Sequence, residues 1–496
     1  MSKPAPWWQP VLLLSLCWMM SFSVLTACAA SANLAGAALN SGDPGLNTLP
    51  LAITTFTTGV YNAAMPWLFG KLGRWRAYLM GALVGCAGGL VAWGACEVGS
   101  LGLLCFGTFL MGVGLCHSQN YRFGVQLCVP EGRKEVAISW VLAGGVAGAI
   151  LGPEYSKHAR NMLPTPFGGI FIVCAAMFVA NFLLLLAGKQ LLAPLAAQPA
   201  SAAAAAAAGA AAPAKALRRP LCRVWTRPRC LSSTVVMTCA YGLMVFLMGA
   251  LPLAMASGAG FSFVEAAVTI QIHMVCMFAP SFITGHAVKR FGAPAIELVG
   301  AILIAAGGGP AFVGVTYADF TAAQAVVALG WNLCFVASTA ALSQQARPSE
   351  KVVVQALNDS IVFCLSGVAS VLAGVALPGI GWQPMQIFAF ATAGVIVLSV
   401  VLSEVLARRA GDGHLEGSPV GITASDGGEA KGDGVLGGAQ SVRALPGRFR
   451  EGSGKGDGVL GGAQSTSTAD EVHEPSSEPQ AATAEVVLEE KAMEKA

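Results

Sequence analysis

Apolar residues in this chain run in long stretches rather than alternating with polar ones, and the stretches have the length of helices that cross a bilayer. Spanning the hydrocarbon takes about 20 apolar residues in helical form, because nothing there satisfies backbone groups except the backbone itself. Twelve segments meet that length: 10–32, 49–70, 77–96, 101–125, 136–155, 166–188, 232–254, 263–285, 295–316, 321–344, 353–377 and 384–406. The pattern predicts an all-α membrane protein with twelve transmembrane helices, arranged as two six-helix pseudo-symmetric bundles over 1–189 and 232–409.

The first segment has the look of a signal peptide, with Lys3, an apolar run from Val11 and the box Leu25-Thr26-Ala27-Cys28. Its apolar stretch continues to Leu39, longer than an ordinary signal core, so it is expected to be retained as a span. The stretch 190–231 reads as a cytoplasmic linker and not a thirteenth span. Gln198 to Ala216 is nearly all alanine, only weakly apolar, interrupted by Pro199 and Pro213 and joined to Lys215, Arg218 and Arg219. Beyond Arg409 the apolar pattern ends and Gly, Ser and acidic residues take over, which predicts a disordered, acidic cytoplasmic tail over 410–496. That tail repeats KGDGVLGGAQS from Lys431 and again from Lys455, read as a duplication without function, with a partner-binding motif as the alternative.

Composition excludes a soluble domain: 55% of the 496 residues are hydrophobic and 11% charged, and the mean hydropathy is +0.65. Through Arg409 there are 22 Lys/Arg against 11 Asp/Glu, and beyond it 7 against 15. The cations sit between apolar runs and form no stripe with interleaved aromatics, so they are topology signals and not a nucleic-acid surface. With the N-terminus inside, the cytoplasmic connections hold Lys71, Arg74, Arg76, Arg133, Lys134, the cluster Lys215 to Arg229, Lys289, Arg290, Arg347, Lys351 and Arg408. The other side holds only Lys157 and Arg160, which places both termini in the cytoplasm. The 14 Cys show no CxxC spacing, so neither a metal site nor a disulfide framework is expected, and no cofactor is implied.

Two connections resemble each other. Phe69-Gly70-Lys71-Leu72-Gly73-Arg74-Trp75-Arg76 follows the second segment, and Gly285-His286-Ala287-Val288-Lys289-Arg290-Phe291-Gly292 follows the eighth. Gly73 and Gly292 are 219 residues apart, and Pro130 and Pro348 are 218 apart, so two repeats share one frame. These connections resemble the loop motif Gly-x-x-x-Asp-Arg-x-Gly of the major facilitator superfamily. The second copy matches at Gly285, Arg290 and Gly292, with Lys289 in the acidic position. In the first, Pro66, Gly70 and Lys71 take the Gly, Asp and Arg positions, so neither copy carries the acid. Gly144, Gly145, Gly148, Gly152 and Pro153 resemble the superfamily's glycine-rich fifth helix. Tyr121-Arg122-Phe123, the run Ala137 to Val146, Met277 to Phe282, Gly330-Trp331-Asn332 and Val354 to Asp359 are similar to a bacterial branch that includes riboflavin transporters.

Ionisable residues within spans are costly and therefore candidates for function. Arg122 near the end of the fourth segment and Asp359, about 10 Å into the eleventh, stand out. The resemblance implies that a loop acid meets the ends of helices four and eleven, and Asp359 is expected to replace it by pairing with Arg122 as an inner gate. The other open reading has Arg122 reaching to the headgroups and Asp359 packing locally. Lys71, Arg74, Lys289 and Arg290 are the further gating candidates. Nearer the midplane, Trp18, Tyr241, Gln271, His273, Trp331 and Asn332 form a neutral, largely aromatic set suited to a flat organic solute. His273 is a candidate carrier of a coupling proton, and Glu154, Glu265 and Glu297 are expected to be hydrated near span ends.

The expected function is secondary active transport of a small organic solute by alternating access, by a monomer in a lipid bilayer, with a coupling proton or an exchanged solute as drivers. The rival is a transporter-like receptor signalling through its tail. The sequence lacks HExxH, GxxxxGK[ST] and GxSxG, and its loops leave no room for a nucleotide-binding domain, so no enzyme is expected.

Overall fold

The computed structural model describes residues 6–196, 225–346 and 351–409, and among these residues the regular elements are all helices. In chain order they are α1 Trp8–Leu39, α2 Leu49–Leu72, α3 Arg74–Val98, α4 Leu101–Gln119, α5 Lys134–Ala159, α6 Gly168–Ala187, α7 Pro228–Leu253, α8 Phe263–Phe278, α9 Ser281–Phe291, α10 Ala293–Val313, α11 Tyr317–Gln345, α12 Lys351–Ile380 and α13 Ile387–Arg409. The linker stretch 197–224 and the tail 410–496, with both copies of the repeat, lie outside the described residues.

Short polar residues start these helices where sequence logic puts them. Ser100 accepts the Leu103 amide at 3.3 Å at the head of α4. Ser262 with Glu265, and Thr316 with Asp319, form capping boxes on α8 and α11, each side chain satisfying an amide that the first turn leaves free. Gly73 ends α2 and Gly292 ends α9 in nearly the same conformation, φ 78° and ψ 156° against φ 83° and ψ 155°. That region is open to glycine almost alone. The two positions that define the 219-residue frame therefore make the same sharp corner.

Among the described residues, ten helices are long and apolar enough to cross a membrane, or eleven if the bent pair α8–α9 counts as one span. α2 is not among them, although its 24 residues span about 36 Å at about 1.5 Å each. Thr54, Thr55, Thr57, Thr58 and Asn62 lower its hydropathy, and all five are buried. The hydroxyls of Thr54, Thr55 and Thr58 are bonded to carbonyls one turn back in α2 itself, at 2.9–3.0 Å. The eighth segment, expected to be continuous over 263–285, is instead two helices bent by 42° at Ala279-Pro280. Pro280 has no amide proton and crowds the preceding turn. α7 begins at Pro228, inside the predicted linker, with the proline in the first turn where its missing N–H costs nothing.

Helices pack in the same order at both ends of the chain. α1 lies against α5 and α6, α2 against α4, and α3 against α4 and α6. Likewise α7 lies against α12 and α13, α8 and α9 against α11, and α10 against α11 and α13. Glycines set the closest approaches: a Cβ at Gly144, Gly148 or Gly152 of α5 would run into the α1 backbone at Ser15, Met19 and Ser23. Outward faces carry Leu83, Phe106, Leu183, Ile302, Leu372 and Leu398 in exposed positions, an apolar exterior that fits lipid and not water. The chain is an integral, multi-pass membrane protein.

Candidate functional site

A seam runs between α1–α6 and α7–α13, formed mainly where α2 meets α12, α5 meets α8, and α1 meets α7 and α8. Small residues allow α2 and α12 to touch. A Cβ at Gly59 would lie 2.6 Å from the Cys364 amide, and one at Gly367 would lie 2.7 Å from Phe56 Cβ. Polar ties cross the seam at several depths. Asn33 Nδ2 donates to the Gly249 carbonyl at 2.7 Å, Gln271 Nε2 to the Ile150 carbonyl at 2.9 Å, and Asn62 Nδ2 to the Ala356 carbonyl at 3.3 Å.

At the α2–α3 end of the seam, Arg122 Nη2 lies 3.2 Å from Asp359 Oδ2. α4 ends at Gln119, and a separate turn, Tyr121–Gly124, carries Arg122 toward α12. Tyr121 is anchored by Asn181, whose amide also donates to Ser21 of α1 at 2.6 Å, and Ser118 donates to the same Ser21 hydroxyl at 2.8 Å. This buried polar network fixes the backbone beside Arg122. Asp359 shares a small cavity with Arg74, Asn62, Asn120 and Phe123. Of the other cations proposed for gating, Arg74 is buried over the Phe69 ring at 4.6 Å, and exposed Lys71 lies over Trp67 at 4.3 Å. Lys289 and Arg290 are exposed at the end of α9, with Arg290 over Phe291.

In the middle of the seam, aromatic rings form a continuous chain. Trp18 packs on Phe22 at 5.2 Å, and Phe22 meets Phe278 edge-on across the seam at 4.8 Å. Phe278 then meets Trp331 at 5.9 Å, Trp331 stacks on Phe335 at 4.8 Å, and Tyr241 touches Trp331, Phe335 and Phe363. Trp18, Tyr241 and Trp331 are thus brought together, and among the described residues the buried indole N–H of Trp331 has no partner. The four phenylalanines were not among the sequence candidates. Phe22 and Phe335 had a signal in the four-residue spacings Trp18–Phe22 and Trp331–Phe335, which put each pair on one helix face.

The other three candidates lie elsewhere. Asn332 points to the α8–α9 break, donating to the Met277 carbonyl at 2.7 Å and to Ser281 at 2.6 Å and accepting from Thr284. It satisfies a carbonyl that the break would leave bare. His273 is buried between α8 and α11 with Nδ1 2.9 Å from the Gln324 carbonyl and Nε2 unpartnered. Gln271 bridges to α5 as described. Glu297, expected to be hydrated, is instead 4% exposed and accepts from Ser338 at 2.6 Å. The helix register after Gly292 turns it inward against α11. Glu265 serves its capping box, and Glu154 pairs with Lys157 and His158.

Comparison with known proteins places this arrangement in a family. The riboflavin transporter RfnT of Brucella anthropi is 34% identical over 367 residues, covering 73% of this chain and 87% of that protein. The uncharacterized MFS-type transporter YddS of Bacillus subtilis is 25% identical over 339 residues, covering 66% of this chain and 75% of its own. YdeG from the same organism, also an uncharacterized MFS-type transporter, is 24% identical over 351 residues, covering 68% and 79%. No protein-family model matches the chain. Joined to an all-helical body with an apolar exterior, the 34% identity along most of the first of these relatives means that the chain belongs to the major facilitator superfamily of membrane transporters.

Proposed function

We propose that this protein is a secondary active transporter that carries a small, flat organic solute by alternating access between two six-helix halves, 1–189 and 232–409, with both termini cytoplasmic. In this reading α2 and the bent pair α8–α9 each count as a span, which brings the total to twelve. The observation that carries it is the seam: a few polar ties lie on closely packed helices, and two rigid halves can make and break them alternately. Arg122 and Asp359 form the cytoplasmic gate, and Arg74 lies against it. Lys71, Lys289 and Arg290 anchor the two matching connections at the membrane surface.

The solute is held in the aromatic chain by the faces of Trp18, Tyr241 and Trp331, with the free Trp331 N–H as a hydrogen-bond donor. Asn332 keeps the neighbouring α8–α9 break rigid, and Gln271 and His273 line the flank toward α5 and α11. RfnT is named for riboflavin, a flat heteroaromatic solute, and a flavin is the first candidate here. Separation of the halves would open the edge contact between Phe22 and Phe278 to a ring of that kind.

Flux into proteoliposomes tests the reading, with riboflavin, other vitamins, nucleobases and organic acids offered with and without a pH gradient. Saturable, protein-dependent uptake of a flat solute is the expected result, and absence of flux for all of them would refute it. If a pH gradient drives uptake, His273→Gln is expected to abolish that dependence while solute binding persists.

A further inference from the structure

Arg74 and Asp359 both stand on the wall of the cavity at the α2–α3 end of the seam, and Arg122, just outside it, is paired with the same Asp359. The cavity's volume is about 30 Å³, room for one small ion or about two waters at roughly 10–15 Å³ each. Asp359 on its wall is already matched by Arg122, 3.2 Å away. Arg74, also on the wall, is only 8% exposed. Among the described residues its neighbours are the Phe69 ring at 4.6 Å and the Tyr78 hydroxyl, and none of the ion pairs includes it. A buried guanidinium without a counter-charge is costly in a membrane protein. α2 offers it no carboxylate. Pro66 lines the cavity, and one helical turn further along the same face stands Gly70.

We propose that this cavity binds a small monovalent inorganic anion of chloride size, held by Arg74 and by the side-chain amides of Asn62 and Asn120. Each amide has a hydrogen to spare, since Asn62 Nδ2 gives one to the Ala356 carbonyl and Asn120 Nδ2 gives one to the Cys116 carbonyl. The anion balances Arg74 and leaves the Arg122–Asp359 pair intact beside it. Because the site lies where α2, α3, α4 and α12 meet, anion binding stabilises the closed form of that end of the seam.

The test needs no transport, so it stands or falls apart from the proposed solute. Thermal unfolding of the purified full chain is followed in potassium chloride, bromide or gluconate at equal ionic strength, together with equilibrium binding of radiolabelled chloride. A saturable rise of a few degrees with chloride and bromide, but not gluconate, and saturable chloride binding are expected. Arg74→Gln is expected to lose both. Gly70→Asp, which supplies a carboxylate from α2, is expected to lose chloride dependence while unfolding in gluconate no earlier than the unmodified protein. Absence of a saturable chloride effect in the unmodified protein, or an undiminished effect in Arg74→Gln, would mean an adventitious ion only. Should Arg74→Gln fail to fold, chloride dependence that persists in Gly70→Asp overturns the proposal.

Discussion

At the scale of single residues, the arginine and aspartate that meet across the seam are the groups most exposed to test. Removing one partner leaves the other buried and unpaired, so Arg122→Ala and Asp359→Ala should each impair transport more than the pair is worth. Their combination should be clearly non-additive, with a coupling of about 1–3 kcal/mol in a double-mutant cycle on flux. Strict additivity would mean that the two groups act separately. Trp331 gives a second test. Trp331→Ala is expected to weaken solute binding about tenfold through lost stacking, whereas Trp331→Phe retains the face and loses the donor, so its deficit reports the N–H alone. Arg122 and Asp359 were legible in the sequence because few other ionisable residues fall within apolar runs. Asn332 was legible as a polar residue in a span, but its direction was not. Which face of α11 turns to α8 depends on the break at Pro280, and no local pattern encodes that.

Helices were easier to read than their joints. Apolar runs located the spans because the length of a membrane crossing is fixed by the bilayer. Joints depend on single residues: Pro280 divides one expected span into α8 and α9, and Asn120 separates α4 from the turn that carries Arg122. Gly73 and Gly292 are the joints the sequence did expose, through their common frame. At φ 78° and 83° an added Cβ is strained, so Gly73→Ala and Gly292→Ala should each destabilise the protein by about 1–3 kcal/mol, seen as a lower unfolding temperature. An equal and negligible effect at both would show that the corners are not required. The α1–α5 contact makes a sharper demand. A Cβ at Gly148 would stand 2.6 Å from the Met19 carbonyl, so Gly148→Leu should force the helices apart and cost about 1–3 kcal/mol by overpacking. Folded yield in detergent measures it.

For the whole molecule, the helix contacts within α1–α6 recur in the same order within α7–α13. α2 packs against α12 across the seam, where small residues and a few polar ties make the contact. The sequence anticipated the matching corners at Gly73 and Gly292 through their 219-residue offset. It carried little of the seam, because Asn33, Asn62 and Gln271 find their partners on backbone carbonyls of the other half, and a carbonyl has no sequence signature. The apolar exterior and the α2 threonines follow one rule: in lipid a hydroxyl must find its acceptor within the protein.

Alternating access is tested most directly by paired distances across the seam at its two ends, measured by electron-spin resonance in lipid. One pair of labels goes on Arg76 and Lys289, exposed at the α2–α3 and α9–α10 connections, and the other on Met162 and Val315, exposed at the opposite connections. Addition of a transported solute should lengthen one distance distribution while shortening the other, and Asp359→Asn should shift the Arg76–Lys289 pair toward the longer form without solute. Distances that stay fixed, or that lengthen and shorten together at both ends, would contradict the account.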